Sequence, residues 1–305
     1  MPVCIEILDN KWLLRSKALW HFVQGVLLPL AEMVPFESGA PHVDALEYVD
    51  PRLRMYGIGW NMVRHSLHPP LSIRHVSNCS NGSQIVRVRA FGDPSRLPSV
   101  SQAFAHDVDG CLPMLRTCRK ALPVVASPVT DELFLLSSRH GNRQMANITA
   151  PFCAWTSRMA SVYPRARCRA ADFAWIPYAE QLPLLRRVRV IGGYHGSNIG
   201  ALHVWTPIDA LAIEWLPDDW PYCIFATCAM SAGKKWILSA PFSTTQNLNR
   251  WKPRGFYSAL SPPTKMRKID PEPAFAIATD LLKQNRTAHQ PTGCAGHAYV
   301  ATESV

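Results

Sequence analysis

The sequence predicts a mainly β protein, an antiparallel sandwich or jelly-roll-like fold with an N-terminal helix and a short C-terminal helix; an α+β fold is the alternative. The main observation is a series of five apolar runs whose starts lie nine to fifteen residues apart. β-Branched and aromatic residues dominate these runs, and Gly, Pro and Asp separate them. Because no gap is long enough for a crossover helix, we expect short turns between antiparallel strands. The runs are Arg186–Ile191, Ala201–Trp205, Ala210–Leu216, Tyr222–Thr227 and Lys235–Ser239.

The first run shows the alternation that is typical of a half-buried strand. Val188 and Val190 alternate with Arg187 and Arg189. Since side chains alternate across a strand, the valines share one face and the arginines share the other. This pattern predicts a strand with a cationic outer surface.

A hairpin signal lies nearer the N-terminus. Two β-rich runs, Leu71–Val76 and Gln84–Phe91, flank the polar segment Asn78–Ser83, which contains an Asn-Gly pair. Asn-Gly readily adopts the positive φ angles of a tight hairpin turn. The sequence therefore predicts that the two runs pair as an antiparallel hairpin.

Helical spacing of apolar residues marks both ends of the chain. Lys11–Val34 and Pro273–Gln284 show it, and these are the two predicted helices. A proline-bearing loop at Gly92–Ser99 is a candidate boundary. We expect residues 1–98 to hold the N-terminal helix and the hairpin region, and residues 99–305 to form the β-rich main region, unless the two are one continuous domain.

Length and charge bound the classes of function. A chain of 305 residues can bury a sizeable core, and its formal net charge is +10. Residues 138–190 contain nine arginines against Asp172 and Glu180, and residues 231–268 contain eight Lys or Arg and no acid. Such concentrated basic charge favours a polyanionic partner. A solvated basic face is the alternative.

Cysteine usage and hydropathy bear on the compartment. The nine cysteines are an odd count without a Cys-x-x-Cys pair, which favours reduced thiols and an intracellular setting, either the cytoplasm or a virion. The apolar run Ala18–Ala31 is too short to span a bilayer, so no membrane segment or signal peptide is expected. Four Asn-x-Ser/Thr sequons would matter only in a secreted chain: those at Asn78, Asn81, Asn147 and Asn285.

The segment Asn249–Tyr257 alternates cations with aromatic residues. Cations neutralise phosphates, and aromatic rings offer stacking faces for unpaired bases. A loop whose aromatic residues cover the edge of the sheet is the alternative. The predicted nucleic-acid-binding residues are Arg187, Arg189, Arg250, Trp251, Lys252, Arg254 and Tyr257.

A different chemistry is indicated by the segment Ala105–Leu112, which contains His-Asp-Val-Asp-Gly-Cys. It resembles the nucleophile motif of haloacid-dehalogenase-like phosphatases. The resemblance implies that Asp107 is the nucleophile, that Asp109 is the general acid/base and that Mg²⁺ offsets their charge. Such enzymes need parallel α/β alternation, which the sequence does not predict. An exposed Asp-rich loop is the alternative.

The segment Gly193–Leu202 is similar to a loop of class III aminotransferases of fold type I. The sequence supplies neither the glycine-rich phosphate cradle nor the Schiff-base lysine of those enzymes, and a tight glycine turn between two strands accounts for the segment. A P-loop, a dinucleotide fingerprint, a His-Glu-x-x-His motif and a serine nucleophile elbow are absent. No metal site is predicted, and no cofactor apart from the Mg²⁺ of the phosphatase alternative.

The expected function is that of a non-enzymatic structural or nucleic-acid-associated protein with a basic β-sandwich surface, such as a self-assembling, capsid-like shell subunit. Runs that end at Pro207 and Pro241 favour the jelly roll. The expected partners are RNA or another single strand and further copies of the chain, with no membrane partner. The alternatives are a metal-dependent hydrolase or phosphatase that uses Asp107 and Asp109, and a nucleic-acid-binding accessory factor that does not assemble.

Overall fold

The structure of the protein is a computed structural model, and within the residues that it describes every strand pairing is parallel. The strands form a four-stranded sheet, a six-stranded sheet and a two-stranded ribbon, with helices between strands. The protein is therefore α/β in arrangement, and the predicted antiparallel sandwich or jelly roll is wrong. The structure describes residues 2–8, 45–66, 72–89, 132–138, 145–207, 209–216, 225–226, 229, 234–241, 267–287 and 297–303.

The N-terminal part of the chain forms the four-stranded sheet, in the order β3-β2-β1-β4. Its central strand β1 is buried from Val3 to Ile5, as expected for a strand with neighbours on both sides. The strands are β1 (Pro2–Leu8), β2 (Ala45–Tyr48), β3 (Ser72–His75) and β4 (Gln84–Arg89). A 3-10 helix (Pro51–Tyr56) and helix α1 (Gly57–Ser66) follow β2.

The predicted hairpin is wrong in its pairing, although both of its runs contain strands. β3 and β4 lie at opposite edges of the sheet, where β3 pairs with β2 and β4 pairs with β1. The Asn-Gly pair does form a turn, with Gly82 at φ +83°. An Asn-Gly pair determines only the local reversal of the chain. The partner of β4 is chosen by burial, since its Val86 is buried in register with Ile5 of β1.

The segment that crosses from β3 to β4 is held by a buried carboxylate and a disulfide. Glu47 of β2 is fully buried and accepts hydrogen bonds from Ser80 Oγ (2.6 Å), from the Ser80 backbone N–H (2.9 Å) and from Arg74 (2.5 Å). The Ser80 hydroxyl is the main cause that lowers the pKa of Glu47 to about 2. Cys79 is joined to Cys4 of β1, and this bond fixes the same segment to the middle of the sheet.

The six-stranded sheet has the order β12-β10-β9-β8-β5-β7. Its strands are β5 (Glu132–Ser137), β7 (Ala166–Ala171), β8 (Val188–Tyr194), β9 (Leu211–Trp215), β10 (Lys235–Pro241) and β12 (His297–Glu303). The ribbon pairs β6 (Met145–Ala146) with β11 (Arg267–Lys268). The helices are α2 (Thr149–Arg158), α3 (Tyr178–Leu185), α4 (Ser197–Leu202) and α5 (Glu272–Thr287), with 3-10 turns at Met159–Ser161 and His203–Trp205.

The five apolar runs that predicted an antiparallel meander have mixed outcomes. Three of them overlap the strands β8, β9 and β10: β9 lies within its run, whereas β8 and β10 extend beyond theirs. The run Ala201–Trp205 ends helix α4 and continues as a 3-10 turn, so it is not a strand. Of the run Tyr222–Thr227 the structure describes only Phe225 and Ala226, which are helical. The C-terminal helix is confirmed as α5, whereas Lys11–Val34 and Gly92–Ser99 lie outside the described residues.

Helices α2 and α5 cover one face of the six-stranded sheet. Trp155 of α2 and Phe275 of α5 stack with ring centroids 4.7 Å apart, and both pack in the same cluster as Trp215 of β9. Gly192 of β8 must remain small, because a Cβ there would lie 2.9 Å from the Trp215 ring and 3.1 Å from Phe152. Burial of several large aromatic side chains, each contributing about 2–3 kcal/mol, stabilises this layer.

A second disulfide connects helix α2 to the six-stranded sheet. It joins Cys153 of α2 to Cys168 of β7. Together with Cys4–Cys79 it accounts for four of the nine cysteines. The expectation of reduced thiols is therefore wrong for these four residues.

Candidate ligand-binding site

The winding of the six-stranded sheet reverses between β5 and β8. The chain runs from β5 to β7 on one side, and then returns to β8 on the other side of β5. In open parallel sheets, ligands bind in the crevice outside the carboxyl ends of the strands at such a reversal. Here these carboxyl ends are Ser137 of β5 and Tyr194 of β8.

Ser137 presents a buried polar atom at this reversal. Its side chain is 2% exposed, and within the described residues its Oγ atom has no hydrogen-bond partner. Ser137 pairs in register with Gly193, where an added Cβ would lie 3.5 Å from the Ser137 Cβ and 3.3 Å from the Ile199 Cβ. An unpaired buried hydroxyl costs free energy, so a polar ligand atom in reach of it would be stabilising.

His195 follows β8 directly and points to the same face of the sheet as Gly193. Its Nδ1 atom lies 2.5 Å from Oε1 of Glu214, which is fully buried in the neighbouring strand β9. The other carboxylate oxygen, Oε2, accepts a hydrogen bond of 2.9 Å from Trp236 Nε1 in β10. The three side chains therefore form a hydrogen-bonded chain across β8, β9 and β10.

This chain of contacts favours one tautomer of the imidazole. Because the Trp236 indole can only donate, Glu214 is an acceptor on that side, and its carboxylate accepts the Nδ1–H of His195 on the other. In that tautomer Nε2 is the basic ring nitrogen. A carboxylate that orients a histidine and stabilises its protonated form is the arrangement of a general acid/base. Phe225 packs on the imidazole with ring centroids 5.0 Å apart.

Gly196 turns the chain from this histidine into helix α4. Its φ of +152° is a conformation that residues with a Cβ rarely adopt. The Gly193–Leu202 segment is therefore a strand-to-helix connection, and the predicted turn between two strands is wrong.

The loop after β7 lies at the same edge of the sheet. Asp172 follows this strand, and its Oδ1 atom accepts the backbone N–H of Ala174 at 2.9 Å. Trp175 is 77% exposed. In the described part of the chain only Trp175 and Ile85 are large hydrophobic residues with high exposure, and the exposed fraction of Trp175 is the higher of the two. Only β5 separates β7 from β8, so this loop begins about 10 Å from the end of β8.

Basic residues of the described sheet collect at the opposite, amino edge. Arg189 of β8 forms an ion pair with Asp209 and lies over the Tyr163 ring at 5.3 Å. Lys234, which precedes β10, is buried and donates hydrogen bonds to the His203 and Thr206 carbonyl oxygens. Burial lowers the pKa of Lys234 to about 7. Two of the cations at this edge thus form polar contacts within the molecule.

The structure describes two of the predicted nucleic-acid-binding residues, Arg187 and Arg189. Arg187 and Arg189 lie at the amino end of β8, away from the edge that carries His195. The remaining candidates lie outside the described residues and stay predictions: Arg250, Trp251, Lys252, Arg254 and Tyr257 for nucleic acid, and Asp107 and Asp109 for the phosphatase alternative.

Sequence reasoning missed Ser137, His195 and Glu214. One usable signal was Glu214, a carboxylate in the middle of the apolar run Ala210–Leu216. A charged group within a buried strand requires a specific partner, and a histidine after the preceding strand could have been considered. Ser137 carried no comparable signal, because its significance depends on which strand lies beside it.

Within the described ranges, no group of three or more His, Cys, Asp or Glu residues is arranged to hold a metal ion. None of the helices in that part of the chain has both the length and the apolar character that a bilayer crossing demands. Comparison with protein-family models and with curated proteins found no match for this chain. The fold itself defines the class: an α/β protein with two all-parallel sheets.

Proposed function

We propose that this chain is a glycosyltransferase that uses a nucleotide-linked sugar, with His195 beside the reacting atoms. The observation that carries the proposal is the reversal point of the six-stranded sheet. There the Ser137 hydroxyl, which has no hydrogen-bond partner among the described residues, lies beside Gly193, and the oriented His195–Glu214 pair lies at the end of the neighbouring strand. A crevice with a few convergent polar groups at such a point is the usual ligand site of a parallel sheet.

The nucleotide is supported by the surroundings of this point. Gly196 carries no side chain, so a phosphate group can approach its backbone closely, whereas the space beside Gly193 is filled by Ile199. The exposed ring of Trp175 offers a stacking face for a base. An acidic residue after the second strand of such a unit, here Asp172, commonly binds ribose hydroxyls. Base, ribose and phosphate would then extend from the β7 loop towards His195.

Transfer of a sugar is supported by an analogy of architecture. Two parallel-sheet units in one chain are typical of many nucleotide-sugar glycosyltransferases, in which one unit binds the donor and the other the acceptor; fold alone does not determine function. Other nucleotide-using classes leave motifs that this sequence lacks: the Gly-x-x-x-x-Gly-Lys of P-loop enzymes and the Gly-x-Gly-x-x-Gly of dinucleotide enzymes.

The chemistry follows from the tautomer of His195. Nε2 accepts the proton of an acceptor hydroxyl while that oxygen forms a bond to the anomeric carbon of the sugar. The bond between this carbon and the diphosphate oxygen breaks, and the nucleoside diphosphate leaves with the electron pair. Glu214 stabilises the positive charge on the imidazole. Direct displacement of this kind inverts the configuration of the anomeric carbon.

The first test is binding by the purified full-length chain. A panel of nucleoside diphosphates and their sugars is screened by thermal unfolding, since a ligand that binds the folded state raises its stability by mass action. At least one is expected to raise the unfolding temperature of the wild type, and His195→Gln is expected to keep this binding while losing transfer. A folded wild type that responds to none of the panel would refute the proposal.

The hypothesis of a nucleic-acid-associated shell subunit depended on a β-sandwich, and the parallel sheets contradict that fold. The test of the shell hypothesis is sizing chromatography with the absorbance ratio at 260 and 280 nm. A monomer free of nucleic acid would contradict this hypothesis.

The metal-dependent hydrolase is the second candidate, because the parallel sheets supply the α/β alternation that phosphatases of this kind need. Asp107→Asn, assayed with a generic phosphatase substrate and Mg²⁺, tests it; unchanged activity would exclude Asp107 as the nucleophile.

A further inference from the structure

The turn between β3 and β4 carries a sequon with open space around it. Asn81-Gly82-Ser83 matches the Asn-x-Ser/Thr pattern of N-glycosylation, and both Asn81 and Gly82 are exposed. Among the described residues, no atom would lie within 4 Å of a Cβ on Gly82. Because Asn81 is itself exposed in this turn, a bulky group on its side chain would extend into solvent.

The disulfide bonds of the protein indicate an oxidising compartment, and one of them lies beside this turn. Cys79, two residues before Asn81, is bonded to Cys4, and Cys153 is bonded to Cys168. Disulfides form and persist in the secretory pathway and outside the cell, and they are rare in the cytosol. The secretory pathway is also where N-linked glycans are attached. Two independent features, the disulfides and the exposed sequon, thus point to the same route.

We infer that Asn81 carries an N-linked glycan in the mature protein. The inference is independent of the proposed enzymatic function, because neither the disulfides nor the turn belongs to the His195 site. It also changes the expected location from the cytoplasm to an oxidising compartment.

Two of the other sequons are less suited to carry a glycan in the folded chain. The side-chain amide of Asn147 donates a hydrogen bond to the Ile269 carbonyl oxygen at 3.3 Å, so a glycan on this nitrogen would have to fit beside the Ile269 backbone. The sequon at Asn78 has the disulfide-bonded Cys79 in its centre, and its Ser80 hydroxyl donates to buried Glu47 at 2.6 Å. Ser83 Oγ lies farther from that carboxylate, at 3.3 Å.

The experiment expresses the full chain behind a cleavable secretion signal in eukaryotic cells. Peptide mapping after treatment with an N-glycan amidase, which converts a glycosylated Asn to Asp, is expected to show conversion at Asn81. Asn81→Gln should lose one glycan on a gel, whereas Asn78→Gln and Asn147→Gln serve as matched controls and should keep it. Ser83→Thr preserves the sequon and should also keep it.

Two outcomes would overturn the inference. One is a wild-type chain, with both disulfides formed, in which the Asn81 peptide is unmodified. The other is a glycan that Asn78→Gln removes and Asn81→Gln leaves in place. The peptide map of the wild type tests the inference without any variant. The inference can therefore be refuted even if a variant folds poorly.

Discussion

Nδ1 of His195 lies 2.5 Å from Oε1 of Glu214; both side chains are buried, His195 directly after β8 and Glu214 in the adjacent parallel strand β9. The two residues are 19 positions apart in the chain, with helix α4 between them. A buried carboxylate needs donors to offset its loss of hydration, and His195 and Trp236 supply them. The pair therefore fixes the position and tautomer of the histidine, which leads to the first prediction.

Glu214→Gln is expected to lower the rate of sugar transfer by about 10²–10⁴-fold, since an amide cannot stabilise a protonated imidazole as a carboxylate does. Binding of the nucleoside diphosphate should change little. The measurement is kcat and KM together with a separate binding titration. Trp236→Phe is the control, because it removes the other donor and leaves the carboxylate facing His195. Equal loss of binding and rate in Glu214→Gln would indicate a structural role instead.

Ser137→Ala should leave the stability of the unliganded protein unchanged or raise it by about 1 kcal/mol, because it removes a buried hydroxyl that has no hydrogen-bond partner in the described part of the chain. The same change should reduce the thermal shift produced by the nucleoside diphosphate. Denaturant unfolding with and without the ligand measures both effects. Ser157→Ala is a comparison, since the Ser157 hydroxyl already donates to the Cys153 carbonyl oxygen at 3.1 Å. A destabilised Ser137→Ala with an unaltered ligand shift would contradict the assignment.

Trp175→Ala should weaken nucleotide binding by about 1–3 kcal/mol, which is the usual contribution of one stacked base. Unfolding in the absence of ligand should change little, since the ring is largely exposed. Isothermal titration with the best nucleoside diphosphate measures the affinity. Ile85→Ala is the matched control, because Ile85 is a 50% exposed apolar residue on the other sheet. If both variants bind as tightly as the wild type, Trp175 does not contact the base.

The acid stability of the N-terminal sheet should depend on Glu47. Its pKa is lowered from 4.5 to about 2, so the folded state favours the ionised carboxylate. This contribution is complete above pH 4.5 and is lost as the pH falls towards 2, because protons then bind the unfolded chain first. Glu47→Gln should cost about 3 kcal/mol at neutral pH, since it leaves Arg74 and Ser80 without their anionic acceptor.

Urea unfolding of the wild type and Glu47→Gln at several pH values between 2 and 7 tests this prediction. The difference between the two proteins should shrink as the pH falls from about 4.5 to 2. A difference that is constant over this range would show that the charge of Glu47 contributes nothing to folding.

Local patterns predicted several elements correctly. Strands β8, β9 and β10 overlap, in turn, the Val/Arg alternation before Ile191, the run Ala210–Leu216 and the run Lys235–Ser239. The apolar spacing of Pro273–Gln284 predicted helix α5. The error at Ala201–Trp205 has a clear cause. Five residues with two apolar side chains on one face fit a strand, but the same residues also fit the end of a short helix.

The sequence by itself determined which segments are apolar enough to be buried, where Gly and Asn reverse the chain, and that Glu214 must find a partner. Only the tertiary structure decided strand direction and strand neighbours, because side-chain alternation is the same in parallel and antiparallel strands. That choice depends on contacts between residues far apart in the chain, such as Val86 with Ile5. It brought Ser137, Gly193 and His195 to one edge, and no local pattern contains this information.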